Sequence, residues 1–222
     1  MSSSRPSPQP PSATDSRPAK EPWSPPAADR RGKRAAILAA ARKLFLGEDY
    51  ASVSVESIAA EAGVSKATVY AHFAGKADLF AEVIRDRTSS VFDLDETILA
   101  GAPAERLRVL GLRLLAMISC PDSLAVHRRV MGDGERFPEI REIFFRSGPA
   151  IGHRAVACHL SGMNEKGQLR VPDPELAAEL FLGMLKGSAH MRMCLGISEE
   201  TEDERVRRVD EVVRIMMAAY AP

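Results

Sequence analysis

The amino-acid sequence predicts an all-α protein. From Asp29 onward, apolar residues recur with the 3.6-residue period of amphipathic helices. The only run with the two-residue alternation of a β-strand is the short stretch SVSV at 52–55. Pro and Gly interrupt the helical pattern again and again, as they do between consecutive helices. These observations favour a bundle of helices over any sheet-containing fold.

Residues 1–28 are predicted to form a disordered tail. They hold eight prolines and seven serines, and Trp23 is their only aromatic residue. Such a segment cannot bury enough apolar surface to offset its loss of chain entropy. The folded part of the chain is therefore expected to begin near Asp29.

Four helices are predicted in the first part of the folded chain. Ser54 and Ser65 are suited to cap the second and third, because a Ser hydroxyl accepts a hydrogen bond from a free N–H group of the first turn. Asp78 lies in the first turn of the fourth helix, where the helix dipole favours an acid. The helices are expected at about 30–47, 54–63, 65–73 and 76–100.

The rest of the chain predicts six more helices, separated by Pro and Gly. They are expected at about 103–119, 122–134, 138–147, 149–165, 173–195 and 201–220. We divide the chain into a tail at 1–28, an N-terminal domain at 29–76 and a C-terminal helical domain at 77–222.

Charge and cysteine content restrict the class of protein. The net charge is zero, yet residues 30–87 hold ten Lys or Arg against seven Asp or Glu, an excess that suits a polyanionic partner. The three cysteines are widely spaced and predict buried, reduced thiols. The sequence contains neither an apolar secretory signal nor a stretch suited to span a bilayer, so we expect a cytoplasmic protein with no membrane partner.

The segment EAGVSKATVYAHFAGK at 61–76 predicts a helix-turn-helix. Val69 and Phe73 share one face of the third helix, where they can pack on the first helix. Four residues then point away from the core. Small side chains on that face let the helix approach base edges, and the polar groups around them can bind phosphates. The outward residues are Ala67, Thr68, Ala71 and His72.

Residues 35–84 resemble the DNA-binding domain of the TetR family of transcriptional regulators. The matching residues are Ile58-Ala59, Ala62-Gly63-Val64-Ser65, Thr68-Val69-Tyr70, His72-Phe73 and Lys76. The segments DGERFPEI, GPAI and GQLRVPDPELAAELFLGML resemble the AefR-like or AcrR-like branch of that family.

The resemblance implies specific contacts with double-stranded DNA. Lys66, Ala67 and Ala71 would face bases, although the family often has Gly where Ala67 stands. The residues expected to hold phosphates are Ser54, Thr68, Tyr70, His72 and Lys76. Tyr70 could also touch a base.

Of the last two long helices, the one at 173–195 is apolar nearly all round, and the one at 201–220 repeats apolar residues at helical spacing. They could be buried inside one protomer, but the resemblance implies that they form a four-helix bundle between the two subunits of a homodimer. The interface residues predicted in this way are Phe181, Met184, Gly187, Val209, Val213 and Met216.

A small-molecule pocket is predicted from residues that combine apolar bulk with a few polar groups. They are Met117, His127, Phe144, Phe145 and His153. Together with the resemblance, they predict a repressor released from a palindromic operator by a small, mostly apolar ligand. An activator or an effector-independent regulator remains an alternative.

A metal-dependent enzyme is a remote alternative. It would use the acidic residues Asp93, Asp95 and Glu96, but these resemble a solvated helix face more than a metal site. The sequence shows no convergent acid, base or nucleophile, so no catalytic residue is predicted. No metal or cofactor is expected either, because the histidines that follow Ala100 lack ligand spacing with any Cys or acid.

Overall fold

The computed structural model of the chain describes residues 27–222. Within that range the chain forms eleven α-helices and no β-strand, which confirms the predicted all-α class. The predicted disordered tail falls almost entirely on residues 1–26, which lie outside the described residues. The helices are α1 Ala27–Gly47, α2 Val55–Glu61, α3 Lys66–Tyr70, α4 Lys76–Phe92, α5 Glu96–Ala100, α6 Pro103–Ser119, α7 Pro121–Asp133, α8 Pro138–Ser147, α9 Pro149–Glu165, α10 Pro174–Cys194 and α11 Glu202–Tyr220.

The fourth helix is shorter than predicted. It ends at Phe92, and the short helix α5 follows after a break, so the prediction of one helix to Ala100 is wrong. The break has a local cause: the Asp95 side chain accepts a hydrogen bond from Ile98 N at 2.9 Å and caps a new helix. Similarly, α3 ends at Tyr70 and continues as hydrogen-bonded turns to Phe73.

The N-terminal domain is built around a core shared by α1 to α4. Ile37, Ile58 and Leu79 are completely buried there. Val130 of α7 and Ile140 of α8 pack into the same cluster, so the C-terminal domain contributes to the core of the N-terminal one. A boundary at residue 76 therefore separates helices that are packed together.

Helix α4 belongs to both domains. Its first half, with Leu79 and Val83, packs in the N-terminal core. Its last turn, with Val91 and Phe92, packs in a second core that includes α6, α9, α10 and α11. The same rigid helix thus reaches from the helix-turn-helix into the C-terminal domain.

The predicted dimer-interface residues of α10 and α11 lie mostly inside the protomer. Phe181 and Val209 are 0% exposed, and Val213 and Met216 are also buried, because α11 packs against α6 and α10 within one chain. The prediction that these four side chains face a partner is therefore wrong. Only Met184, which is half-buried, and Gly187, which is exposed, remain accessible.

Helix α10 is kinked at Gly187. The backbone there has φ 48° and ψ −162°, a left-handed conformation that side chains with a Cβ rarely adopt. The kink separates the apolar first half of α10 from its last two turns, which carry His190 and Cys194.

Among the described residues, no single helix is both long and apolar enough to cross a membrane. The pair α6 and α7 meets those two criteria only when taken together, across a bend of 63°.

Candidate nucleic-acid interface and ligand cavity

The turn between α2 and α3 has the geometry of a helix-turn-helix. Gly63 has φ 66°, which lets the chain reverse directly after α2. Ser65 then caps α3, and its hydroxyl accepts a hydrogen bond from Thr68 N at 3.1 Å. These two features fix the angle at which α3 leaves the turn.

Helix α3 presents a face of small side chains to solvent. Val69 and Phe73 are 0% and 3% exposed and pack in the N-terminal core. Ala67 and Ala71 are exposed on the other side, and Tyr70 is 50% exposed. The predicted inward and outward faces of this helix are thus the ones observed.

The polar groups around α3 form a chain of contacts with the start of α2. The Lys66 ammonium pairs with the carboxylate of Glu56 and lies 5.8 Å from the centre of the Tyr70 ring. The hydrogen bond from Lys66, helped by Ser54, lowers the pKa of Glu56.

Ser54 and Lys76 both have structural partners. The Ser54 hydroxyl accepts from Ser57 N at 3.0 Å and so caps α2, as predicted. The Lys76 ammonium lies 4.1 Å from the centre of the Tyr50 ring, and burial lowers its pKa. Thr68, within α3, and His72, just after it, are partly exposed.

A cavity of about 150 Å³ lies where the two domains meet. One side of it is formed by Phe45 of α1 and by residues of α4 from Phe80 to Phe92. The C-terminal domain closes it with α6 to α10. Because α1 and α4 form part of its wall, a molecule inside the cavity would contact the helices that hold the helix-turn-helix.

Three of the five predicted ligand-binding residues line this cavity. Met117, His127 and Phe144 lie in its wall. Phe145 is 58% exposed, and His153 lies beside Glu175, with 3.2 Å between Nδ1 and Oε2. Phe145 and His153 therefore do not line the cavity, and the structure does not bring all five predicted residues together.

Sequence reasoning missed Lys186 and His190, which line the cavity from α10. The signal was present in the sequence, because Lys186 is the only Lys, Arg, Asp or Glu between Glu179 and Arg192. A lone lysine in an apolar helix has to be explained, since burying an ammonium is costly.

Two arginines and one acid form a junction beside the cavity. Arg42 of α1 and Arg87 of α4 both donate to Oδ2 of Asp122, at 2.9 and 3.2 Å. The hydrogen bond from Arg42 is the main reason why the pKa of Asp122 is lowered. The first turn of α7 is thus tied to both α1 and α4.

Two histidines and a cysteine converge at one end of the cavity. The Cys194 Sγ lies 3.5 Å from His190 Nε2, and the rings of His127 and His190 are 5.6 Å apart. Their possible ligand atoms all lie within 4.8 Å of one another, so the prediction that these histidines have no Cys at ligand distance is wrong. The sequence did carry a signal for this contact, because His190 and Cys194 are four residues apart and so lie on the same face of α10. Of the three thiols, all free, Cys158 is exposed rather than buried as predicted.

Comparison with known proteins identifies the family. Residues 37–83 match the family described as bacterial regulatory proteins of the tetR family. Residues 105–222, more than half of the chain, match the C-terminal domain of AefR-like transcriptional repressors. The chain belongs to the TetR family. It is therefore a transcriptional regulator with a DNA-binding helix-turn-helix, as the resemblance implied.

Several TetR-family proteins are similar over most of this chain. A transcriptional regulator from Mesorhizobium loti is 29% identical, with a TM-score of 0.72 over 87% of this chain and 98% of its own. The flavonoid-responsive regulator FrrA is 30% identical, with a TM-score of 0.69 over 86% and 98%. The curated regulator AcrR of Shigella flexneri is 30% identical over 120 residues, and the match spans about half of its length.

The TetR-family fold leaves no support for a metal-dependent enzyme. Its members are transcriptional regulators, not enzymes. Two of the acids that such an enzyme would use have structural roles instead. The Asp95 side chain caps α5, and the backbone carbonyl of Asp93 accepts a hydrogen bond from Arg113 at 2.8 Å.

The buried imidazole of His190 should make the stability of this TetR-family protein depend on pH. Burial, together with the charges of His127 and Lys186, lowers the pKa of His190 from 6.5 to about 4. Between these values the unfolded chain takes up a proton at residue 190 that the folded chain does not. The free energy of unfolding should therefore decrease as the pH falls from 6.5 to 4.

The measurement is urea denaturation of the wild type and of His190→Gln at several pH values in that window. The decrease should be smaller in His190→Gln, which has no group to protonate at this position. If the free energy of unfolding decreased equally with falling pH in the two proteins, the proton taken up on unfolding would not bind at His190.

Proposed function

We propose that the chain is a homodimeric repressor that binds a palindromic operator and is released by a small, mostly apolar ligand. Since its partner would be double-stranded DNA, we place it in the cytoplasm. The observation that carries this proposal is the course of α4, which starts at Lys76 beside α3 and ends at Phe92 in the cavity wall. A repressor also agrees with the match to AefR-like repressors.

The exposed face of α3 would enter the major groove of the operator. Ala67 and Ala71 would allow close approach to base edges, and Lys66 would exchange Glu56 for a base. The remaining predicted residues would contact the phosphates on either side and determine the salt dependence of binding. These are Ser54, Thr68, Tyr70, His72 and Lys76. Tyr70, half exposed, could also reach a base.

Ligand binding would act on α1 and α4. The cavity holds about 150 Å³, so a larger molecule must move its walls, and these include Phe45 of α1 and Ile84 of α4. Movement of α4 changes the position of α3 relative to its copy in the partner subunit. A coupling of about 1 to 3 kcal/mol between ligand and operator would weaken operator binding roughly 5- to 150-fold. FrrA is flavonoid-responsive, which makes aromatic compounds the first class to test.

The dimer would form through the outer faces of α10 and α11. On α10, Leu176 and Leu180 are 51% and 49% exposed, and the exposed Gly183 lies next to them on the same face. On α11, Ile215 and Ala218 are exposed. An exposed apolar face on two neighbouring helices suits an isologous interface, in which the same surface meets its copy.

Leu180→Glu should convert the protein to monomers. A carboxylate at this position would meet its copy across the two-fold axis and lose solvation. The protomer should stay folded because the wild-type side chain is half exposed. Sedimentation velocity measures the change, and circular dichroism checks the fold.

Met131→Glu is the matched control for this variant. Met131 is 68% exposed on α7, outside the proposed interface. Met131→Glu should therefore sediment as the dimer, with the same coefficient as the wild type. A dimer that survives Leu180→Glu would contradict the proposed interface.

Footprinting separates a ligand-released repressor from the alternatives. The purified protein is bound to its own promoter region and titrated with a panel of small aromatic compounds. Loss of the footprint on addition of one compound supports release by a ligand. A footprint that no compound changes favours an effector-independent regulator, and transcription that rises when the protein is bound identifies an activator.

A further inference from the structure

The charged groups that line the cavity are all cations. Arg42, Arg87 and Lys186 belong to the lining, and no Asp or Glu does. Asp122, which is not part of the lining, compensates both arginines through the junction described above. Lys186 is therefore the cation of the cavity wall whose charge Asp122 does not compensate.

Lys186 has no counter-ion among the residues that the structure describes. No carboxylate in that part of the chain comes within 4.0 Å of its ammonium, and the ammonium makes no hydrogen bond there. Burial lowers the pKa of Lys186, which shows that the charge is costly in this position. An anion brought into the cavity would offset that cost.

A second polar group is available next to Lys186. The Nδ1 atom of His190 is buried and has no hydrogen-bond partner among the described residues, while its Nε2 faces Cys194. In the neutral tautomer with a proton on Nδ1, this imidazole can donate a hydrogen bond. It would satisfy an oxygen of a ligand whose charge is held by Lys186.

The rest of the wall is apolar and the space is small. Phe92, Leu114 and Phe144 are among the side chains that surround it. A cavity of about 150 Å³ lined by such residues can hold one benzene-sized ring. The shape therefore suits an aromatic ring, and the charge suits an acid.

We propose that the effector is an organic acid, with an apolar body of about one aromatic ring and an ionised oxygen that pairs with the ammonium of Lys186. This inference rests on the proposed function, because it takes the cavity to be the effector site. It goes further by assigning the sign of the ligand's charge and the residue that recognises it.

A metal ion is the competing occupant of this end of the cavity. His127, His190 and Cys194 could supply three ligands to a thiophilic cation such as Zn²⁺. Lys186, however, carries a positive charge close to both imidazoles. Burial is the main reason why the pKa of each imidazole is lowered, and this charge adds to the effect. The same charge would repel a bound cation. The observations therefore favour an anion.

Calorimetric titration of the full-length protein tests the inference with four probes. These are benzoate, its neutral analogue benzamide, the cation benzylammonium and Zn²⁺. We expect benzoate to bind about ten- to one-hundred-fold more tightly than benzamide, the gain that a hydrogen bond to a charged group supplies. Benzylammonium and Zn²⁺ should bind more weakly than benzoate.

Lys186→Met is the decisive variant, and Lys166→Met is its matched control. Met keeps the apolar stem and removes the charge, so it should abolish the preference for benzoate over benzamide. It should not lower the thermal midpoint, because it removes an uncompensated charge from the interior. Lys166 is exposed at the end of α9, and its substitution should leave benzoate binding unchanged.

The outcomes separate this inference from the proposed function. Equal binding of benzoate and benzamide, benzoate binding that survives Lys186→Met, tighter binding of Zn²⁺, or no binding by any probe would each overturn the inference. Release of the operator by a neutral or cationic compound would overturn it too, yet would leave the ligand-released repressor intact. A footprint that no compound changes counts against the proposed function itself.

Discussion

Ala71→Asp should abolish specific binding to the operator. Ala71 is exposed at the end of α3, and we place it against the base edges of the major groove. A carboxylate there adds bulk to the closest contact and brings a negative charge towards the phosphates. Since like charges forced together cost several kcal/mol, the loss in affinity should be about 100-fold or more. An electrophoretic mobility shift assay at fixed salt concentration measures it.

The same substitution at Ala100 is the control. Ala100 is exposed on α5, far along the chain from the helix-turn-helix, and Ala100→Asp makes the same change in charge. It should bind the operator within about twofold of the wild type, because α5 is not part of the helix-turn-helix. Operator binding that survives Ala71→Asp would show that α3 does not enter the groove as proposed.

Phe181→Ala should destabilise the protomer itself. Phe181 is 0% exposed and packs in the core between α6, α9, α10 and α11. Truncation of a buried Phe leaves a cavity and typically costs about 3 to 5 kcal/mol. Urea denaturation at one fixed protein concentration measures the loss, since the proposed dimerisation would make apparent stability depend on concentration.

Phe145→Ala makes the same change on the surface. Phe145 is 58% exposed on α8, so its truncation should change the free energy of unfolding by no more than about 0.5 kcal/mol. If Phe181→Ala instead dissociated the dimer and left each protomer fully stable, the original prediction of Phe181 as an interface residue would be correct and the observed packing would not.

The helix-turn-helix could be predicted from the sequence because its signals are local. Gly63 and Ser65 occupy the turn and the cap, and Val69 and Phe73 mark the inward face within two turns. Each of these depends on neighbours only a few residues away. The end of α4 escaped prediction although its signal, Asp95 as a cap, was equally local. The apolar periodicity continues on both sides of the break, so the sequence pattern predicted one uninterrupted helix.

The cavity and the faces of α10 and α11 could not be predicted in the same way. Helix α10 is apolar around much of its surface, so periodicity alone does not tell which side meets the protomer and which meets solvent. Helix α11 has one apolar stripe, and periodicity does not tell whether that stripe faces the protomer or a partner. Phe181 and Leu180 are adjacent in sequence, yet one is buried and the other half exposed. Likewise, Lys186 meets His127 only through the packing of α10 on α7, a contact between residues far apart in the chain.

The measurement that tests the central claim most directly is the selection of bound duplexes from a random DNA pool by the purified protein, without added ligand. Two copies of α3 in neighbouring major grooves should enrich a palindrome whose half-sites lie about 10 base pairs apart, or a multiple of that spacing. Lys66→Ala should then change the preferred bases within each half-site. A pool that remains random after repeated rounds at physiological salt would contradict the claim that α3 reads DNA.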